Sequence, residues 1–186
     1  LEKIFRSAFK TVLMQPWGNY PPMFKVVRVS DARTREALAK GVGAELERHY
    51  LSAFGTKQRI DTIVSRCFLV PRDVFLVFVD MKALPPAASQ LQDIYFRSAI
   101  TRYGSALENI ALTARSLGLG IGLLGFPPFL RSAEKPVHEI LGVPESVVLI
   151  DMFLLGHPLR SNPPAIGKPL SAVMTNGAMN RPEGEK

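Results

Sequence analysis

The hydrophobic positions of the chain follow helical spacing in some stretches and form short continuous runs in others. Residues 2–14 place apolar side chains three or four positions apart, which predicts an amphipathic helix. Val74–Asp80 and Val147–Leu155 are short apolar runs typical of buried strands, and strands are also predicted over Phe24–Val29 and residues 119–124. Because helices and buried strands alternate, the sequence predicts an α/β or α+β fold in one layered domain.

The longest helical pattern covers residues 95–117. Its apolar arc is wide, so we expect a helix that lies buried at the centre of the fold. Another helix is predicted over residues 31–39, and we expect Gly41 and Gly43 to break it before residues 44–54 resume the helix. A short helix over Glu134–Leu141, capped by Gly142, completes the pattern.

The segment LGLGIGLLGFPPF, residues 117–129, contains the Gly-x-Gly-x-x-Gly spacing of dinucleotide-binding loops. Such a loop needs a strand before the glycines and a helix after them. Here a helix comes first, and the Phe-Pro-Pro-Phe that follows disfavours a helix start. The segment therefore predicts a helix cap at Gly118 that runs into a strand. Its glycines have two explanations, which are tight packing against a neighbour or a backbone that a flat ligand can approach closely.

Composition narrows the class of protein. The chain has 186 residues, of which 47% are apolar and 21% charged, as expected for one globular domain with a core. Cys67 is the single cysteine, so neither a disulfide framework nor a cysteine metal site is expected. No apolar run reaches the ~20 residues of a membrane helix, and the first residues do not resemble a secretory signal. We expect a cytoplasmic protein.

The net charge of +7 is unevenly distributed. Residues 1–66 hold 12 Lys and Arg against 6 Asp and Glu, whereas residues 67–186 hold 11 against 10. No basic run with interleaved aromatic residues is present, so a nucleic-acid partner is not expected. The basic excess leaves two interpretations open, a solvated basic face or a site for a phosphorylated cofactor.

Several sequence blocks resemble, in the same order, those of the nitroreductase family of flavin enzymes. The blocks are LMQPWGN, FKVVRVSDARTREALAKG, SALENIALTARSLGLGIGLLGF, EILGVPE and LLGHP. The resemblance implies an α+β domain over residues 1–174, with an antiparallel or mixed central sheet surrounded by helices and a long buried central helix. Residues 175–186 are expected to form a flexible tail.

The resemblance also implies a function. A member of this family forms a homodimer, binds FMN at the subunit interface and transfers hydride from NAD(P)H to an organic acceptor such as a nitroaromatic, a quinone or an enone. The flavin carries the redox chemistry, while the protein supplies binding and electrostatics. Neither a catalytic side chain nor a metal site is therefore predicted.

Carried over position by position, the resemblance assigns flavin contacts. Backbone groups of Leu124 and Gly125 are expected beside the redox-active nitrogen and the adjoining carbonyl of the ring, where a backbone N–H stabilises negative charge. Gln15, Pro16 and Trp17 match the Gln-Pro-Trp of the family. Structural packing is the alternative role for Trp17.

Other positions match less closely. Asn109 corresponds to an asparagine of the central helix, and Lys168 to a basic residue that reaches the flavin phosphate. A solvated tail charge is the alternative for Lys168. The Pro-Ser-x-x-Asn segment of the family reads Lys10–Met14 here, so that Thr11 alone could replace its polar contacts.

A stripe of basic residues on the first predicted helix could replace a phosphate-binding segment of the family. The Arg-x-Ser-x-Arg-type segment with which the family grips the phosphate has no counterpart in the sequence. Lys3, Arg6 and Lys10 fall on one face of the first predicted helix, where they could hold a phosphate dianion. An ordinary solvated face is the alternative.

Three functions therefore remain open at the level of sequence. The first is the FMN-dependent NAD(P)H oxidoreductase described above. The second is another chemistry on this fold, such as a flavin-dependent biosynthetic dehydrogenase or a flavin-consuming enzyme like dimethylbenzimidazole synthase. The third is a non-catalytic member whose flavin site has decayed, which the altered Lys10–Met14 segment favours.

Overall fold

A computed structural model of the protein describes residues 1–13, 23–83, 89–124 and 131–158. These residues form five α-helices and four β-strands. The helices are α1 (Glu2–Leu13), α2 (Ala32–Phe54), α3 (Lys57–Val64), α4 (Ser89–Ser116) and α5 (Arg131–Leu141), and the strands are β1 (Phe24–Val29), β2 (Val74–Asp80), β3 (Gly120–Leu123) and β4 (Val147–Gly156).

The four strands form one antiparallel sheet in the order β1-β2-β4-β3. Helices α2, α3 and α5 cover one face of the sheet, and helices α1 and α4 cover the other. Strand β2 lies inside the sheet with helices on both faces, which explains why Val74–Val79 are all buried. The predicted α+β class and the predicted strands are confirmed.

The predicted break in α2 is wrong, because α2 runs without interruption through Gly41 and Gly43. The reason is tertiary packing. A Cβ atom at Gly41 would lie 2.8 Å from Cβ of Pro136 and 3.3 Å from Cδ1 of Ile140, both on α5. Gly41 therefore lets two helices approach closely, and this contact offsets the ~1 kcal/mol that a glycine costs inside a helix.

Helix α4 is buried along one stripe, not all around. Its inward face holds Ala99, Tyr103, Ala106, Ile110 and Ala114. The opposite face is open in the described part of the chain, and it carries exposed apolar side chains, Ile94 and Leu112 among them. Among the helices described, none combines the length and the apolar content needed to cross a bilayer.

Candidate functional site

The glycine-rich segment forms β3, which lies at one edge of the four strands that the structure describes. Gly118 has a φ of 73° and ends the helical region, as the cap prediction required. Gly120, Gly122 and Leu124 then face the α2–α5 side, because Leu124 and the strand partner of Gly122, Leu154, pack against that core.

Packing against the described residues does not explain Gly120 and Gly122. A Cβ atom at Gly122 would lie 3.7 Å from Cβ of Leu154, and one at Gly120 would lie 3.7 Å from Cβ of Pro158. Both distances are ordinary van der Waals contacts, so alanine would fit at either position. Among the described residues, tight packing therefore gives no reason for the bare backbone, and the alternative, approach by a flat ligand, stays a prediction.

Leu124 uses its backbone N–H within the sheet. That N–H donates to the carbonyl of Met152 at 2.8 Å. In an antiparallel ladder, bonded and non-bonded pairs alternate, so Leu123 directs its N–H and C=O away from β4. The Leu124 N–H is therefore taken up within the sheet, whereas Ile121 and Leu123, the latter 59% exposed, direct their backbone groups outward. The contact of backbone groups of Leu124 and Gly125 with a flavin stays a prediction.

A bulge in β4 places a carboxylate beside this segment. Leu149 pairs with Phe78 and Asp151 with Val77, so Ile150 is an extra residue in the ladder. Leu149 and Met152 face the α2–α5 side of the sheet. Strict alternation from Leu149 would place Asp151 on that side as well, but the bulge turns it toward α4. The sequence analysis did not identify Asp151, although a lone acidic residue inside VVLIDMFLL was the available signal.

Tyr103 on α4 holds this carboxylate. Its hydroxyl donates to Oδ2 of Asp151 at 2.8 Å, and the backbone N–H of Met152 donates to Oδ1 at 2.7 Å. Burial raises the pKa of Asp151, while these two hydrogen bonds lower it in part. The pKa of Tyr103 is raised, mainly by burial and then by the neighbouring carboxylate, so Tyr103 stays a neutral donor.

Comparison with known proteins decides the family. The model of the Nitroreductase family matches residues 12–157, a stretch that contains β3, β4 and α4. The chain belongs to the nitroreductase family. The predicted relationship is confirmed.

Individual relatives of this nitroreductase-family chain are distant. A protein of Archaeoglobus fulgidus, provisionally named as an NADH dehydrogenase/NAD(P)H nitroreductase, is 43% identical over 54 residues, which are 29% of this chain and 30% of that protein. The chain thus matches under a third of the length of this relative.

Two solved structures show the shared fold. A nitroreductase with bound FMN from Desulfitobacterium hafniense is 18% identical with a TM-score of 0.60, and the similarity covers 96% of this chain and 88% of that one. The NADPH:FMN oxidoreductase from Vibrio harveyi complexed with NAD+ is 19% identical with a TM-score of 0.63, over 97% and 70%.

The predicted site residues that the structure describes lie on elements that pack against one another. Asn109 lies half-buried on α4, which packs against α1 and is joined to β3 by the turn at Gly118. Lys10 and Thr11 lie on α1, but their side chains are outside the described part. The predicted contacts at Gln15, Pro16, Trp17, Gly125 and Lys168 fall outside the described residues and stay predictions.

Arg6 is already engaged. Its guanidinium pairs with Glu2 at 2.6 Å, and both side chains are largely exposed. Lys3 is exposed as well. These observations agree with the solvated-face alternative for the basic stripe, and a phosphate site formed with Lys10 stays a prediction.

Proposed function

We propose that the protein is an FMN-dependent oxidoreductase that takes hydride from NAD(P)H and passes it to a small organic acceptor. The observation that carries the proposal is the family match over residues 12–157. It gains support from β3, whose glycines have no packing reason within the described chain. When bound, FMN supplies the redox chemistry, and the protein supplies the binding and electrostatic environment.

The residues of β3 fit a flavin ring. Gly120 and Gly122 leave a flat strip of backbone without side chains, which suits the close approach of a planar ligand. Leu123 directs its N–H toward the free edge of the strand, where it can donate to a polar edge of the ring. Leu124 would contribute through its apolar side chain, and Gly125 through its backbone.

The outward face of α4 supports a homodimer with the flavin site at the subunit interface. Ile94 and Leu112 are 58% and 57% exposed, and they are 18 residues apart, which is five helical turns. Between them on the same face lie the small residues Thr101 and Ser105, which allow a partner helix to approach. The homodimer rests on the family match, and two exposed apolar side chains with small residues between them are compatible with a partner helix on this face.

Leu112→Glu is expected to convert the dimer into monomers, because it places a charge in an apolar helix contact. Sedimentation equilibrium of the variant and the natural chain measures the change, with an expected loss of affinity of at least about tenfold, or 1.4 kcal/mol. Leu51→Glu on α2, also at an exposed leucine, is the matched control and should leave the dimer intact. A dimer that survives Leu112→Glu would rule out α4 as its interface.

FMN titration tests the proposal at the glycine strip. The natural chain should quench the fluorescence of FMN to saturation. Gly122→Val places a Cβ atom in ordinary van der Waals contact and adds a residue type that strands favour. In the folded variant, FMN binding should weaken by at least about tenfold, or 1.4 kcal/mol, since the side chain occupies the strip. Unchanged affinity in Gly122→Val would place the flavin elsewhere. A natural chain that takes up no FMN would favour the non-catalytic alternative.

A further inference from the structure

We propose that the charge of Asp151 lowers the midpoint potential of the bound flavin, and that Tyr103 positions this carboxylate. The inference rests on the proposed function. A carboxylate is an unusual occupant of a strand whose other members are apolar. The chain gives it a bulge and two hydrogen-bond donors.

The hydrogen bonds indicate that Asp151 is held as a carboxylate. Both of its oxygens accept, one from the hydroxyl of Tyr103 and the other from the N–H of Met152. An ionised carboxyl group is an acceptor at both oxygens, whereas a protonated one must donate from one of them. Burial raises the pKa of Asp151, and these two hydrogen bonds oppose that shift and favour the charged form.

The charge lies on the strand next to β3, on the α4 side of the sheet, whereas the glycines of β3 face the α2–α5 side. Met152 connects the two, because its N–H donates to Asp151 while its carbonyl accepts from the N–H of Leu124. In a regular ladder, the Met152 N–H would instead bond back to β3. Asp151 therefore takes the place of a ladder hydrogen bond at the end of β3. Two hydrogen bonds, both made by Met152, connect its carboxylate to Leu124.

A negative charge in this position opposes the build-up of further negative charge on the ring. Hydride transfer moves two electrons and one proton from NAD(P)H to the ring, so that NAD(P)H becomes NAD(P)+. The ring system thereby gains one negative charge. As a general scale, two like charges about 10 Å apart at an effective dielectric constant of about 20 repel each other enough to change such an equilibrium by roughly tenfold. Asp151 should thus favour the oxidised flavin, and the reduced form should be a stronger hydride donor to the acceptor.

The test is the midpoint potential of bound FMN, measured by anaerobic reduction against a reference dye. Asp151→Asn removes the charge and should raise the ratio of reduced to oxidised flavin by roughly tenfold at a fixed potential, which is about 30 mV for a two-electron couple. Asp93→Asn is the matched control, because it removes a carboxylate from the exposed surface of α4; its potential should equal that of the natural chain.

A second variant keeps the test decisive if Asp151→Asn does not fold. The double variant Tyr103→Phe/Asp151→Leu replaces both partners by apolar groups, a change that proteins tolerate better than the loss of one partner. It should raise the potential in the same direction. Bound FMN with an unchanged potential in the folded variants would overturn the role of Asp151 and leave the proposed function standing. Failure of the natural chain to bind FMN would overturn both.

Discussion

Phe153→Ala is expected to lower the free energy of unfolding by about 3–5 kcal/mol. Phe153 is fully buried on β4, and its ring stacks on Phe75 with centroids 5.1 Å apart and planes 9° from parallel. Phe5 of α1 contacts the same pair, with its ring centroid 6.2 Å from that of Phe153. Truncation therefore opens a cavity between the sheet and α1, which the rigid strands cannot fill.

The same substitution should also affect the candidate site, because Phe153 pairs with Leu123 across the β3–β4 ladder. Urea denaturation measures the loss of stability, and FMN titration of the folded variant measures the effect on the site. Phe153→Leu is the control, for which we expect a cost below about 1.5 kcal/mol since most of the volume is kept. An alanine variant within 1 kcal/mol of the natural chain would mean that this aromatic cluster is not a rigid part of the core.

Gly41→Ala and Gly43→Ala are expected to change stability in opposite directions, although both positions lie on α2. Alanine at 41 would bring Cβ to 2.8 Å from Cβ of the rigid Pro136 ring, which forces α2 and α5 apart. We expect a loss of about 1–3 kcal/mol. Alanine at 43 meets only Val64 at 3.7 Å, so helix propensity should dominate and give a gain of about 0.5–1 kcal/mol.

Each variant is the control for the other, because the chemical change is the same and only the neighbour differs. Thermal and urea unfolding of both variants gives the comparison. Stabilisation by alanine at both positions would show that α2 and α5 are not in close contact at Gly41. Destabilisation at both would show that Gly43 has a packing role that its surroundings do not explain.

The sequence predicted the elements whose hydrophobic pattern is local. Strands β2 and β4 were recognisable because each is a continuous apolar run, and α4 because its apolar stripe repeats from Ala99 to Ala114. The glycine cap at 118 was also predictable, since only the left-handed conformation ends a helix in this way. These features depend on residues that are close together in the sequence, so the sequence pattern alone predicts them.

The features that were missed depend on neighbours in space. Gly41 was interpreted as a helix breaker, yet its role is to admit Pro136 from a helix about ninety positions later in the chain. The direction of the Leu124 N–H depends on the register between β3 and β4, and the position of Asp151 on the bulge between β2 and β4. A strand pattern shows which residues alternate, but it does not show where a bulge shifts the alternation.

The flavin-dependent activity can be tested most directly by anaerobic reduction. The protein is loaded with FMN, freed of unbound flavin, and mixed without oxygen with NADH or NADPH while the visible absorption band of oxidised flavin is recorded. We predict that at least one of the two nicotinamides bleaches the band in proportion to the amount added, and that a nitroaromatic or quinone then restores it. A protein that holds FMN but shows no bleaching with either nicotinamide would contradict the proposed oxidoreductase function.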